Sequence, residues 1–332
     1  MQYTISGWFG EAGGPLPFGI ARVTFQGIDM KLTQLRNLTT IAETGGLRRA
    51  ARRLGLSQPA LSRSIRELEV EFGVKLFDRS TGGMELTQLG KNFASRGQAV
   101  QRELERAREE VLQYTGINVG EVSIGLSSAA HVALLPKVII PFRRRFPRVK
   151  LHIIESLFPA LDAGIRDGSI DFYVGPMATR KLGSHIKVEP LFDNYRVVIG
   201  RKDHPLGAVK SLAGLTKAEW VMTSAIAGGD IDLRPIFEER GLPAPTVAVR
   251  TQTALSTITV AASSDLITIL PQQWLRFARL TGLLAPIDIT ERLAAPEICI
   301  VRRASLPLTP AAQHLSDLFH RAALNQSDAM PA

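Results

Sequence analysis

From Met30 onward, apolar positions recur at helical spacing. Leu32, Leu35, Leu38 and Ala42 share one side of a first helix that stops at Gly45-Gly46. A second helix is expected over roughly Leu47–Leu54, with Ala50 and Ala51 allowing close packing, followed by a short turn at Gly55-Leu56. Ser57 is a favoured N-cap and Pro59 a favoured first-turn residue, so a third helix starts there. Leu61, Ile65, Leu68 and Phe72 give it a buried face, and Gly73 ends it. This is helix–short turn–helix geometry. Leu76-Phe77 and Met84–Leu86 bracket Thr81-Gly82-Gly83, which predicts a β-hairpin. From Thr87 to Tyr114 the chain reads as one long helix. Gly97, Val100, Leu104, Ala107, Val111 and Tyr114 recur at spacings of three and four, a coiled-coil seam suited to pairing two copies. The opposite face carries Arg102, Glu103, Glu105, Arg106, Glu109 and Glu110 and is expected to be solvated.

Gly116–Gly120 marks a hinge, after which strands and helices alternate. Strands are expected at Val122–Leu126, Val149–Glu155, Ile170–Gly175, Tyr195–Gly200, Trp220–Thr223, Val247–Arg250, Leu266–Leu270 and Ile298–Arg302. Helices are expected at His131–Phe146, Ala160–Asp167 and Ile231–Arg240. A last helix, N-capped by Thr309, starts at Pro310. Such alternation implies parallel sheets covered by helices, either one large sheet or two small lobes. Residues 1–29 are rich in Gly, Pro and aromatics and lack helical periodicity. With Arg22 as their only basic residue they do not read as a signal or transit peptide. They are expected to be a disordered upstream extension, with Met30 the natural start.

The chain has 332 residues, which suggests about two domains. Hydrophobic residues make up 45% and charged residues 21%, which excludes a mainly disordered chain. The single cysteine, Cys299, excludes an intramolecular disulfide framework and any multi-cysteine metal site. No apolar run is long enough to span a bilayer. The expectation is a cytoplasmic protein with no cofactor, no metal and no membrane partner. The net charge is +9, of which residues 30–116 and 117–332 each carry +5 and residues 1–29 carry −1. The excess is locally dense. Arg48, Arg49, Arg52, Arg53, Arg63 and Arg66 lie between Leu47 and Arg66 with no acid among them.

The outward face of the third helix carries Gln58, Pro59, Ser62, Arg63 and Arg66. Gln can pair bidentately with adenine and Arg with guanine, while Ser can bond base or phosphate. A helix start also favours phosphate. In the second part, Ser127-Ser128 follow the first strand and Thr223-Ser224 follow Trp220-Val221-Met222, with Ser156 and Thr251 at two further strand ends. Singly, such hydroxyls read as N-caps and loop residues. Together, at strand ends where open α/β sheets bind ligands, they suit a small carboxylate or sulfonate. Pro176 and Met177 could supply an apolar wall. Catalytic constellations are absent. No nucleophile elbow, phosphate-binding loop or dinucleotide fingerprint occurs. The six histidines are scattered, and Cys299 reads as core.

The run from Ala50 to Glu69, centred on Ser57-Gln58-Pro59-Ala60-Leu61-Ser62-Arg63, resembles the winged helix-turn-helix of LysR-type transcriptional regulators. Gly73-Val74-Lys75-Leu76-Phe77-Asp78-Arg79 and Leu86-Thr87-Gln88-Leu89-Gly90 are similar to that family's wing and linker start. Pro141-Phe142 through Phe146-Pro147 and His204-Pro205-Leu206 extend the likeness through nearly everything after Met30, with a softer likeness to members that sense aromatic sulfonates. The resemblance implies DNA contacts at Ser57, Gln58, Pro59, Ser62 and Arg63, a wing contact at Arg79, and an effector in the interlobe cleft. Gly46-Leu47-Arg48-Arg49 departs from the Ser-Phe/Leu-Thr-Arg of many members. Arg48 stands where their hydroxyl would meet phosphate and replaces it electrostatically.

The expected architecture is therefore an all-α winged helix-turn-helix (30–87), a linker helix (88–116), a two-lobed α/β effector domain like a periplasmic binding protein (117–325), and a tail (326–332). The resemblance implies a homodimer or homotetramer that bends promoter DNA at an interrupted dyad, acts with RNA polymerase, and answers to a small organic acid or sulfonate. Two competing readings are a solute-binding protein and a Rossmann-like enzyme with an appended DNA-binding module. The recognition-helix arginines and the missing export signal weigh against the first. No residue set nominates a reaction for the second.

Overall fold

Leu38, Leu61, Ile65 and Leu68 lose all contact with solvent, and Ile41, Ala50 and Ala51 nearly all. Their convergence holds α1 (Leu32–Thr44), α2 (Leu47–Leu54) and α3 (Gln58–Phe72) around one core. The computed structural model describes residues 30–80, 83–158, 160–177, 184–223, 233–276 and 282–327. The chain divides into two compact units after Ala94. In the first unit, Gly55 adopts φ +66°, the left-handed conformation that lets α2 turn into α3. Strands β1 (Phe77–Ser80) and β2 (Gly83–Leu86) pair antiparallel with Phe77 opposite Leu86, which makes the expected hairpin. Thr81 and Gly82 lie outside the described residues. The buried Glu69 of α3 fixes this hairpin, because its carboxylate accepts the backbone N–H groups of Leu76 at 2.8 Å and Phe77 at 3.1 Å.

Helix α4 runs continuously over Gln88–Tyr114 and crosses the boundary between the units. In its first turn Gly90 lies against the chain at Leu76. A Cβ there would come within 2.0 Å of the Leu76 carbonyl oxygen, so only glycine allows this approach.

The second unit is a two-lobed α/β structure. One mixed sheet of seven strands runs through both lobes, with path order β10-β6-β11-β5-β3-β4 and β9 paired to β6. In the first lobe, β3 (Val119–Leu126) pairs in parallel with β4 (Arg148–Glu155) and β5 (Phe172–Pro176). Helices α5 (Ser128–Ala133), α6 (Leu135–Arg145), α7 (Asp162–Asp167) and α10 (Pro310–Ser327) cover it. In the second lobe, β7 (Glu219–Thr223) and β8 (Thr246–Thr251) form a parallel pair beside β9 (Thr268–Pro271) and β10 (Leu284–Ile287), with α8 (Arg234–Glu238) and α9 (Ala254–Ala262). Two long strands, β6 (Ile186–Arg201) and β11 (Leu293–Arg303), belong to both lobes. Phe192 on β6 sits in the first lobe's core and Val198 in the second's. Between them the β6–β11 register shifts around Ala295–Cys299. Asn194 donates to the Pro296 carbonyl there and the Met177 N–H to that of Glu297, so both hold the irregular segment.

Several expectations need correcting. The sheet is mixed, because β6, β9, β10 and β11 all pair antiparallel. Apolar runs do not encode strand direction. The helix expected at His131–Phe146 is two helices broken at Leu134, since Pro136 has no N–H and disfavours helical geometry before it. The expected Tyr195–Gly200 strand is sixteen residues long. Its first half contains Pro190 and pairs only with β11, so it is an edge that tolerates proline. Strand β10 and helix α9 were not expected. Helix α10 runs to Ser327, past the expected tail boundary. Residues 1–29 lie outside the described residues.

Candidate functional site

The first unit presents α3 as an amphipathic helix. Ser57 N-caps it, its hydroxyl accepting the Ala60 N–H at 3.3 Å. Gln58, Pro59, Arg63 and Arg66 are exposed and Ser62 is half-buried, as the alternation with Leu61, Ile65 and Leu68 requires. Pro59, Ala60, Arg63, Ser64, Arg66 and Glu67 line a groove of about 360 Å³. Ser64 is tied down by Asn37, which donates to it at 2.9 Å. Glu67 was not anticipated as part of this surface. A carboxylate there can accept from cytosine N4 while repelling phosphate. The arginine run is not wholly without acid partners. Arg53 pairs with Glu43 of α1 at 3.1 Å, and Arg49 donates to the Gly45 carbonyl. Arg48, Arg52, Arg63 and Arg66 make no ion pair among the described residues and stay exposed. Arg79 occupies β1 opposite Met84.

Much of the charged face of α4 is covered, contrary to the sequence expectation, although Glu105 is exposed. Over Arg102–Gln113 it docks on the first lobe. Arg102 pairs with Asp167 at 3.1 Å, and Arg106 with the buried Asp171 at 2.8 Å. Glu103 meets Arg303 at 2.7 Å, and Glu109 accepts the Glu121 N–H. The buried Gln113 closes the row, donating to the Val119 carbonyl and accepting the Ala311 N–H at the start of α10. Burial pushes the Asp171 carboxyl above the ordinary range, opposed by Arg106 and the Ser123 N–H. The reason for the reversal is complementarity: charges three and four apart on α4 meet opposite charges on the lobe. The seam residues Val100, Leu104, Val111 and Tyr114 are left exposed, Leu104 at 47%.

In the first lobe, Ser127 is buried and its hydroxyl N-caps α5 by accepting from Ala130. Ser128 is half-buried, and its hydroxyl has no hydrogen-bond partner among the described residues. Ser156 is half-buried, its N–H bonded to the Leu126 carbonyl. Pro176 ends β5 half-buried, whereas Met177 packs inside the apolar cluster of Leu161, Ile165 and Cys299. Tyr173, missed in the sequence, brings its phenol beside Ser127. A Cβ on Gly175 would fall 2.1 Å from the hydroxyl oxygen and 2.7 Å from the Ser127 Cβ. Burial pushes this phenol upward, so it remains a donor at neutral pH.

In the second lobe, Thr223 and Thr251 are brought together by a residue that sequence reasoning missed. Thr257 of α9, fully buried, places its Oγ1 2.6 Å from both their hydroxyl oxygens. The available signal was Thr251, Thr253 and Thr257 around a helix start. Thr253 indeed caps α9, accepting the Ser256 N–H. Ser224 lies outside the described residues. Val132 of α5 packs on the second lobe's cluster of Val221, Ala254 and Ile258, so α5 meets the side of the lobe that carries these threonines. A separate concavity near the root of β6 and β11 is lined by Tyr195, Arg196, Gln272 and Arg292. There the Arg292 guanidinium stacks 3.7 Å over the Tyr195 ring. Burial pushes the Cys299 thiol up to about 11, which leaves it unionised at neutral pH. Among the described residues no cluster of His, Cys, Asp and Glu could hold a metal. No described helix is long and apolar enough to cross a membrane.

These two parts match two known families. The LysR substrate binding domain matches residues 116–324, and the bacterial regulatory helix-turn-helix protein, lysR family, matches residues 32–91. The HTH-type transcriptional regulator TdcA of Escherichia coli (strain K12) is 27% identical over 231 residues, which is 70% of this chain and 74% of TdcA. The regulator GalR of Pseudomonas putida is 28% identical over 293 residues, 87% of this chain and 74% of GalR. Among solved structures, a full-length OxyR variant from Pseudomonas aeruginosa superposes with a TM-score of 0.62 at 26% identity, covering 87% of this chain and 94% of OxyR. The LysR family regulator CbnR in complex with its target DNA gives 0.65 at 19% identity, covering 88% and 100%, a likeness of fold. An N-terminal helix-turn-helix unit and a two-lobed α/β domain, each within a matched family region and joined by α4, thus have one reading: this chain belongs to the LysR family of transcriptional regulators.

Proposed function

We propose that α3 reads promoter DNA with Gln58, Pro59, Ser62, Arg63 and Arg66, that Ser57 and Arg48 meet phosphate, and that Arg79 follows from the wing. The observation that carries this is the two-sided character of α3. Leu61, Ile65 and Leu68 on its apolar side have no solvent exposure, while its arginines stand open without ion pairs among the described residues. CbnR, whose fold this chain shares, has been solved on its target DNA. Arg63→Ala should weaken specific operator binding by about 1–3 kcal/mol and random-duplex binding by less. Anisotropy titrations on both duplexes at one salt concentration test this. Equal losses would remove Arg63 from base reading.

The effector is a small organic anion, a carboxylate or sulfonate, held between the lobes. Ser128 and Ser156 contribute from the first lobe and Thr223 and Thr251 from the second, with Ser127 capping α5, Ser224 beside Thr223, and Pro176 forming the apolar side, while the expected wall residue Met177 belongs to the core cluster. Free or clustered hydroxyls at strand ends support this reading. The exposed seam on α4 pairs two copies, and two such dimers form a tetramer on an interrupted dyad. The protein works in the cytoplasm, where promoter and RNA polymerase are. Effector binding changes the angle between lobes that share β6 and β11.

A further inference from the structure

We propose that Thr257, which no ligand could reach, positions the Thr223 hydroxyl for an oxyanion by acting as the hub of a three-hydroxyl relay. This rests on the reading of the interlobe site as an anion pocket. The argument is a count of protons. Thr223, Thr251 and Thr257 have one hydroxyl proton each. Two contacts of 2.6 Å converge on Thr257, so each must hold a proton between its oxygens. The Thr257 oxygen is also 3.1 Å from the Thr253 carbonyl, a back-bond along α9. Thr251 has two weaker outlets, the Thr253 carbonyl at 3.3 Å and the Met222 carbonyl at 3.5 Å.

Three proton orders satisfy these contacts. In the first, Thr257 donates to Thr253 and accepts from both partners, so Thr223 turns only lone pairs outward. In the second, Thr223 donates to Thr257 and Thr257 to Thr251, with the same outward face. In the third, Thr251 donates to Thr257 and Thr257 to Thr223, which frees the Thr223 proton for a ligand. An oxyanion beyond Thr223 selects the third order. It then meets a donor polarised by the two hydroxyls behind it, since successive hydrogen bonds in a dry site strengthen one another. A ligand offering a donor would select either of the others. Thr257 is therefore the residue through which the second lobe prefers an acceptor, although it touches no ligand itself. A valine would fill the same space among Ala254, Ile258 and Ala261, so the hydroxyl is what distinguishes this position.

The test uses the full chain, with benzenesulfonate and benzoate as probes in titration calorimetry. Thr257→Val keeps the shape and removes the hydroxyl. Thr257→Ser keeps the hydroxyl and removes the methyl. The expected result is about a tenfold weaker affinity for the anion in the valine variant, in line with a lost bond to a charged group. The serine variant should stay within about twofold of the parent. Should the serine variant bind more weakly than the valine variant, the side chain acts by packing and the relay is overturned. Equal affinity in the parent and the valine variant overturns the relay and leaves the anion pocket standing. Failure of the parent to bind either probe overturns both. If Thr257→Val does not fold, Thr251→Val interrupts the same relay from a half-buried position, and unchanged affinity there rejects it.

Discussion

At the scale of the residue, the Arg106–Asp171 pair shows where charge decides structure. Its side chains are 18% and 6% exposed, so each carries a desolvation cost that its partner offsets, with help from the Ser123 N–H for Asp171 and the Gly168 carbonyl for Arg106. Arg106→Met leaves the Asp171 carboxylate buried with the Ser123 N–H as a donor but without its counter-charge. That should cost about 3–5 kcal/mol in urea unfolding of the second unit. Replacing both, Arg106→Met with Asp171→Leu, should restore most of the loss or exceed the parent, because two apolar groups of similar volume need no compensation. The pH dependence carries a definite sign. Burial raises the folded-state pKa of Asp171, and likewise of Glu109, so the folded chain holds these protons where the unfolded chain has released them. Their contribution is complete below the ordinary carboxylate range near pH 4 and is lost as pH rises through the raised values. Asp171→Asn should show a shallower fall in stability across that window.

At the scale of the element, legibility followed the clarity of the repeat. Leu61, Ile65 and Leu68 between Ser57 and Gly73 state a helix, its cap and its end in one line, and α3 formed as read. Helix α9 carries Thr257, Ile258, Thr259 and Val260 in succession, β-branched residues that prefer strands. There the packing of Ala254, Ile258 and Ala261 on β7 overrides propensity, so Thr257 could not be placed beside Thr223 beforehand. On α4 both faces were visible, but which one the lobe would cover was not. Charge at helical spacing reads as solvated unless the partner charges of Asp167, Asp171 and Arg303 are known to lie opposite. That reversal frees the apolar seam. Leu104→Lys should dissociate the seam-paired dimer, since an ammonium buried there has no partner, and DNA affinity should fall with it. Sedimentation velocity measures the first effect. An unchanged size would mean that other surfaces hold the copies together.

At the scale of the whole molecule, the sequence pattern changes at Gly116–Gly120, whereas the two compact units divide earlier, after Ala94, because the charged face of α4 docks on the first lobe. The crossing of β6 and β11 could not be read from the sequence, because neither Pro190 nor Asn194 resembles the interior of a strand. The hydroxyls at the strand ends were legible as residue types, but their division into caps, such as Ser127, and free donors, such as Ser128, needed coordinates. Because the cleft lies within the second unit, an anion bound there stabilises that unit by mass action, about 2.7 kcal/mol at a hundredfold excess over Kd. Benzenesulfonate or benzoate should raise the melting temperature of the second unit and leave that of the first in place. A matching rise in both would mean that the units unfold together.

The placement of tryptophan makes this separable by light. Of the chain's three tryptophans, Trp8 lies outside the described residues. The other two, Trp220 edge-on to Phe237 and Trp274 beside Ile199 and Val221, are both in the second lobe. With Trp8→Phe, the molecule's tryptophan emission comes wholly from one lobe of one unit. The described residues of the first unit and of the first lobe carry no tryptophan, so the fold supplies its own tryptophan fluorophore at the lobe that carries the three threonines.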